Sequence, residues 1–119
     1  MNFKHKLKTL RNNYVIRQVS AAVLPDFPPS PVRRYRILFS GRVQRVGFRL
    51  EVCQMARRLG LTGFCKNLEN GDVLAEIQGP DCKIQHLLSF MESLKRIRIR
   101  RKTVTALDLD PQENAFTRQ

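Results

Sequence analysis

Between Gly41 and Arg49 the chain reads Gly-Arg-Val-Gln-Arg-Val-Gly-Phe-Arg, and these residue types suit the binding of a phosphate-sized anion. Glycines let a backbone curl without Cβ clashes. The residues that follow have a helical pattern, and a helix start presents backbone N–H groups that no carbonyl of the helix uses. Arg49, in the first turn, offers a planar fork that grips two oxygens at once. The same run also suits a turn that merely reverses the chain, so alone it leaves both readings open.

To work, such a loop needs a strand before it and a helix after it. Tyr35–Ser40, with its aromatic and branched residues, predicts the strand. Phe48, Val52, Cys53, Ala56 and Leu59 share one face of a helix over Arg49–Leu59, which Gly60 stops. Leu61–Lys66 reads as a second strand, Asn67–Gly71 as a hairpin turn ending in Asn-Gly, and Asp72–Gln78 as a third strand. Gly79-Pro80-Asp81 breaks the chain and starts a helix whose stripe is Ile84, Leu87, Leu88, Met91 and Leu94. A last strand lies within Ile97–Leu109. There Ile97 and Ile99 fall on one parity and Val104 and Ala106 on the other, which predicts a turn or bulge around Arg100–Lys102. The order strand, helix, strand, strand, helix, strand predicts an α+β, ferredoxin-like β-α-β-β-α-β sandwich, an antiparallel sheet with both helices on one face. Many unrelated functions use that architecture.

The chain has 119 residues and a net charge of +12, one domain's worth of core under a basic surface that concentrates anionic partners. Residues 1–34 hold seven Lys/Arg against one acid, and the remainder fifteen against nine. No apolar run reaches the length of a membrane span, so a soluble or at most peripheral protein is expected. Cys53, Cys65 and Cys82 form no C-x-x-C, which points to free thiols in a reducing, cytoplasmic setting. No Cys/His cluster has metal-ligand spacing and no carboxylates gather near the loop, so neither a structural zinc nor a metal-dependent phosphatase is expected. His86 lies beside the apolar stripe of the second helix and reads as a surface residue, and Cys53 as core packing. Residues 1–33 read as a basic, disordered extension ending in a linker with prolines at 25, 28, 29 and 31. The alternative for this segment is a short amphipathic helix with Phe3, Leu7, Leu10 and Tyr14 on its stripe.

A second motif, Gly63-Phe-Cys-Lys-Asn67-Leu-Glu-Asn-Gly71-Asp-Val, lies downstream of the first. Together, in this order and spacing, the two motifs resemble the acylphosphatases over about residues 34–110. The family pattern is G-x-V-Q-G-V-x-F-R followed by G-x-V-x-N-x-x-x-G-x-V. The resemblance implies hydrolysis of the carboxyl–phosphate bond of acyl phosphates, with no metal and no cofactor. Arg49 matches the phosphate-binding arginine and Asn67 the asparagine that positions the attacking water. Gln44, Arg45, Val46, Gly47 and Phe48 match the backbone cradle for the phosphate oxygens. The partners implied are a small acyl phosphate and inorganic phosphate, with no obligate nucleic acid, and a monomer is expected.

Arg45 departs from the pattern, which has glycine there. We expect a negative φ with the side chain leaning outward; a positive φ, or a side chain folded over the pocket, would distort the cradle. The C-terminal segment Glu113–Arg118 is also shorter than the family's edge strand. The residues 1–33 contribute to neither motif, so a chain starting at Arg34 is expected to keep full activity. Two other functions compete. One is a non-catalytic anion-binding domain. The other is a nucleic-acid module, favoured by Arg96–Lys102 but not by the third strand, which lacks an aromatic for base stacking.

Overall fold

The computed structural model describes residues 2–119. Its elements are α1 (Phe3–Ala21), β1 (Val32–Arg42), α2 (Phe48–Arg58), β2 (Thr62–Asn67), β3 (Val73–Pro80), α3 (Asp81–Ser93), β4 (Arg98–Leu107) and β5 (Phe116–Arg118). One sheet carries the strands in the order β4-β1-β3-β2-β5. The first four pair antiparallel, as the sequence predicts, whereas β5 adds to β2 in parallel through Gly63, Phe64 and Cys65. The short C-terminal segment therefore does close the sheet, and the sheet is mixed rather than wholly antiparallel. Alternation puts Ile37, Phe39, Val73, Ala75, Ile77 and Cys65 in the core. There they meet the apolar stripes of α2 (Val52, Met55, Ala56) and α3 (Ile84, Leu87, Met91).

The bulge expected near Arg100 is present: Ser40 lies opposite Arg101 and Gly41 opposite Ile99, so Arg100 is the extra residue of β4. This explains Gly41. A Cβ there would collide with the Arg98 carbonyl oxygen and reach 2.8 Å from the Arg100 nitrogen, so the glycine is demanded by the neighbouring strand rather than by an anion. Most of β4 is exposed, which makes its arginines the solvated edge of the sheet.

In the structure Phe3–Ala21 of the extension form α1. Asn2 caps α1 by accepting a hydrogen bond from the His5 amide at 2.8 Å. Val15 and Val19, one turn apart, are buried, and burying each stabilises by about 1.5 kcal/mol or more. Arg58 of α2 donates to the carbonyl oxygens of Val19 and Ala22, satisfying the C-terminal end of α1. The docked face differs from the stripe read in the sequence, because Phe3, Leu7 and Leu10 face outward, and Tyr14, though exposed, turns its ring to Arg96. The proline linker is also docked: Leu24 and Phe27 pack on the core, and Ser30 accepts a hydrogen bond from the Cys82 amide at 3.1 Å. Phe27 stands edge-on to His86 with ring centroids 5.3 Å apart, so that half-buried histidine serves packing. No described helix is long and apolar enough to cross a membrane.

Candidate active site

The loop between β1 and α2 is anchored from below. Val43 and Val46 are buried, and Phe48 packs edge-on against Phe39 with centroids 4.9 Å apart. Its carbonyls are held one after another. The Arg45 oxygen accepts from Arg11 at 3.2 Å, the Val46 oxygen from Arg96 Nε at 2.6 Å, and the Gly47 oxygen from the Glu51 amide at 2.9 Å. Among the described residues the amides of 45–49 donate to no backbone carbonyl. Gly47 caps α2 at φ 81°, with no side-chain oxygen over the helix start. A chain with its carbonyls engaged and a run of amides unspent at a helix N-terminus can receive an anion.

Gln44 and Val46 do not line the resulting cavity. Gln44 instead donates from its side-chain amide to the Leu68 and Asp72 carbonyl oxygens at 2.7 and 2.8 Å. It ties the loop to the hairpin that carries Asn67. The Gln44 side chain and the buried Val46 side chain thus support the loop from outside the cavity.

The cavity has a volume of about 350 Å³ and is lined by Arg45, Gly47, Phe48 and Arg49 of the first motif and Asn67 of the second. Val43, Leu50, Lys8, Arg11 and Arg118 complete it. The Arg49 guanidinium donates to the Gln119 backbone oxygen at 2.6 Å, and the Gln119 amide donates to the Cys65 carbonyl at 2.8 Å. Gln119 thereby fixes the arginine's direction. Asn67 ends β2 opposite Val73, at the base of a turn closed by Leu68 N–H to the Asp72 carbonyl at 2.8 Å. Among the described residues its side-chain amide has no hydrogen-bond partner, although it stands on a well-held strand end.

Arg45 has φ 61°. The expectation of a negative φ is overturned: arginine holds the left-handed conformation that glycine takes freely, at a cost of about 1 kcal/mol. Its side chain is exposed rather than packed into the loop, and the backbone contacts around it are made. The cradle is therefore strained at one residue but keeps its path.

Among the described residues, five cationic side chains and no carboxylate side chain line the cavity. Arg11 feels this crowding: burial first, then the nearby Arg96, Arg118 and Arg49, lower its pKa. Lys8, Arg11 and Arg118 were missed in the sequence because they lie outside both motifs. The basic pair at 8 and 11, spaced to share a helix face, was the available signal. Glu51 was also missed. It is fully buried one turn into α2, its oxygens have no hydrogen-bond partner among the described residues, and the Arg96 guanidinium stands 3.7 Å away. Burial pushes its carboxyl up to about 7, against the opposing pull of Arg96. Cys65, completely enclosed, is pushed up to about 12 by burial, and Cys53 is raised for the same reason. Both are inert core thiols.

The acylphosphatase family model matches residues 35–118. An acylphosphatase of Picrophilus torridus is 38% identical over 79 residues, 66% of this chain and 93% of that one. One of Clostridium beijerinckii is 46% identical over 63 residues, 53% of this chain and 67% of the relative. The crystal structure of an acylphosphatase from Bacillus subtilis superposes with a TM-score of 0.68 at 28% identity, covering 75% of this chain and 99% of that one.

Proposed function

The chain belongs to the acylphosphatase family and hydrolyses acyl phosphates to a carboxylate and inorganic phosphate, and from that premise we propose that Arg49 and Asn67 divide the chemistry between them. The observation that carries this division is that the two residues, from separate motifs, line one cavity beside the unspent amides of the loop. Arg49 and the amides of 45–49 hold the non-bridging phosphoryl oxygens and neutralise their charge. The Asn67 side-chain oxygen accepts a hydrogen bond from a water and aims it at phosphorus, in line with the bond to the acyl oxygen.

The water oxygen bonds to phosphorus as the bond from phosphorus to the acyl oxygen breaks, and the electron pair leaves on the carboxylate. That group's conjugate acid has a pKa of about 4, so it departs without a proton. The water's proton passes to a phosphoryl oxygen of the substrate itself, since among the described residues no carboxylate or histidine side chain lines the cavity to take it. No metal enters the scheme: positive charge comes from the arginines. Residue by residue, Gln44 and Arg96 keep the loop in place, and Phe48 and Val46 root it in the core. We place the protein as a monomer in a reducing, cytoplasmic setting, with inorganic phosphate as product and competitive inhibitor.

The test is phosphate release from benzoyl phosphate and from an aryl phosphate monoester in EDTA. Turnover confined to the acyl phosphate is the expected result. Phosphate binding without turnover would favour a non-catalytic anion-binding domain.

A further inference from the structure

The segment matched by the family ends short of α1, yet α1 supplies a wall of the site. Lys8 and Arg11, spaced to share one helical face, line the same cavity as Arg49 and Asn67. The docking is specific. Val15 and the Arg11 side chain lie against Gly47, where a Cβ would come within 3.2 Å of Val15 and 3.4 Å of Arg11 Nε. Arg11 also reaches the Arg45 carbonyl oxygen at 3.2 Å, and Tyr14 presents its ring to the Arg96 guanidinium that holds the Val46 carbonyl.

This helix brings two more cations to a site that already has Arg45, Arg49 and Arg118. One phosphoryl group, held by Arg49 and the loop amides, leaves that charge largely uncompensated. The Arg11 Nε–H is packed against Gly47 with no hydrogen-bond partner among the described residues, whereas its two terminal nitrogens, which donate to the Arg45 carbonyl and the Asn12 side-chain oxygen, each keep a second N–H for a ligand oxygen. Resting on the hydrolase reading above, we infer that Lys8 and Arg11 form a second anion subsite, and that the preferred substrates are acyl phosphates whose acyl part carries a further carboxylate or phosphate. The cradle takes the reacting phosphoryl group, and the α1 face takes the distal anion. Lowering of the Arg11 pKa, by burial first and then by its cationic neighbours Arg96, Arg118 and Arg49, fits the same picture, because a second anion would relieve the crowding.

The experiment compares kcat/KM for benzoyl phosphate and its para-carboxylate analogue, using the full chain and the variants Lys8→Glu, Arg11→Gln and Arg17→Glu. Arg17 is exposed and does not line the cavity, so its variant matches the charge change of Lys8→Glu at a neutral place. The full chain should prefer the para-carboxylate substrate by about tenfold, the scale of one partly screened charge pair. Lys8→Glu and Arg11→Gln should erase that preference, and Arg17→Glu should keep it. Equal use of both substrates by the full chain, or a preference that survives Lys8→Glu, would overturn the inference while leaving hydrolysis intact. Absence of turnover on both substrates would instead defeat the hydrolase reading. Lys8 is exposed and touches no loop atom through a hydrogen bond, so misfolding does not cloud its variant.

Discussion

The Arg11 guanidinium donates to the Arg45 carbonyl oxygen at 3.2 Å. A helix outside the family's matched segment thus braces the one described non-glycine residue with a left-handed backbone. Strain in the cradle and the presence of α1 are therefore linked: the contact holds the peptide that follows the strained φ. A chain starting at Arg34 loses this brace, the Val15 and Val19 packing, and two cations of the site. The expectation that such a chain keeps full activity does not follow from the structure.

Arg45→Gly and Arg45→Ala separate backbone strain from side-chain charge. Alanine keeps the positive-φ cost and glycine removes it, so the glycine variant should be the more stable of the two by about 1 kcal/mol in urea unfolding. Its kcat should stay within tenfold of the parent, and the salt dependence of kcat/KM should shrink, because one rim cation is gone. A gain in kcat above tenfold, worth about 1.4 kcal/mol of barrier, would show that Arg45 impairs the native site.

Arg49→Lys replaces a fork with a point charge. It also gives up the geometry of the contact to the Gln119 oxygen that aims the guanidinium. Phosphate affinity by calorimetry should fall, and turnover should drop on the order of 10²-fold, the usual effect of removing an aligned charged donor. The circular dichroism spectrum should not change. A folded lysine variant with parental kinetics would remove Arg49 from the assignment.

Glu51 should give the stability a pH signature. Its carboxyl is raised from 4.5 to about 7 by burial, with only Arg96 opposing. Between those values the folded chain holds more protons than the unfolded one, so its contribution to stability declines as pH rises through that window. Glu51→Gln mimics the protonated form. Unfolding midpoints measured from pH 4.5 to 7.5 should fall with pH in the parent and stay flatter in the variant, which should be the more stable form at the upper end. Parallel curves for the two proteins would rule out Glu51 as the source.

The fold was readable because its signals are local. Alternation in β1 and β3, the stripe of α3 and the Asn70-Gly71 turn each depend on neighbours within a few residues. Even the β4 bulge showed itself as a change of parity. The helix α1 was not readable in the same way. Its conspicuous apolar residues point to solvent, and it docks through two valines and a cap donated by Arg58, thirty-odd residues away by sequence. The site divided along the same line. Arg49 and Asn67 stood in motifs, whereas Arg118 reaches the cavity from a three-residue strand that only parallel pairing with β2 explains. The motif also hid roles: Gln44 matches the family pattern but is spent on the hairpin, and Gly41 answers to the bulge on β4.

The division of labour between Arg49 and Asn67 is tested most directly by Asn67→Ala, measured twice: inorganic phosphate affinity by calorimetry, and kcat on benzoyl phosphate in EDTA. Asn67 ends a paired strand and makes no side-chain hydrogen bond among the described residues, so its truncation should leave the fold and the cradle in place. Phosphate should bind with nearly parental affinity, while kcat falls on the order of 10²–10³-fold with little change in KM. Loss of phosphate binding in step with kcat would place Asn67 in the cradle and contradict the assignment of the water to it.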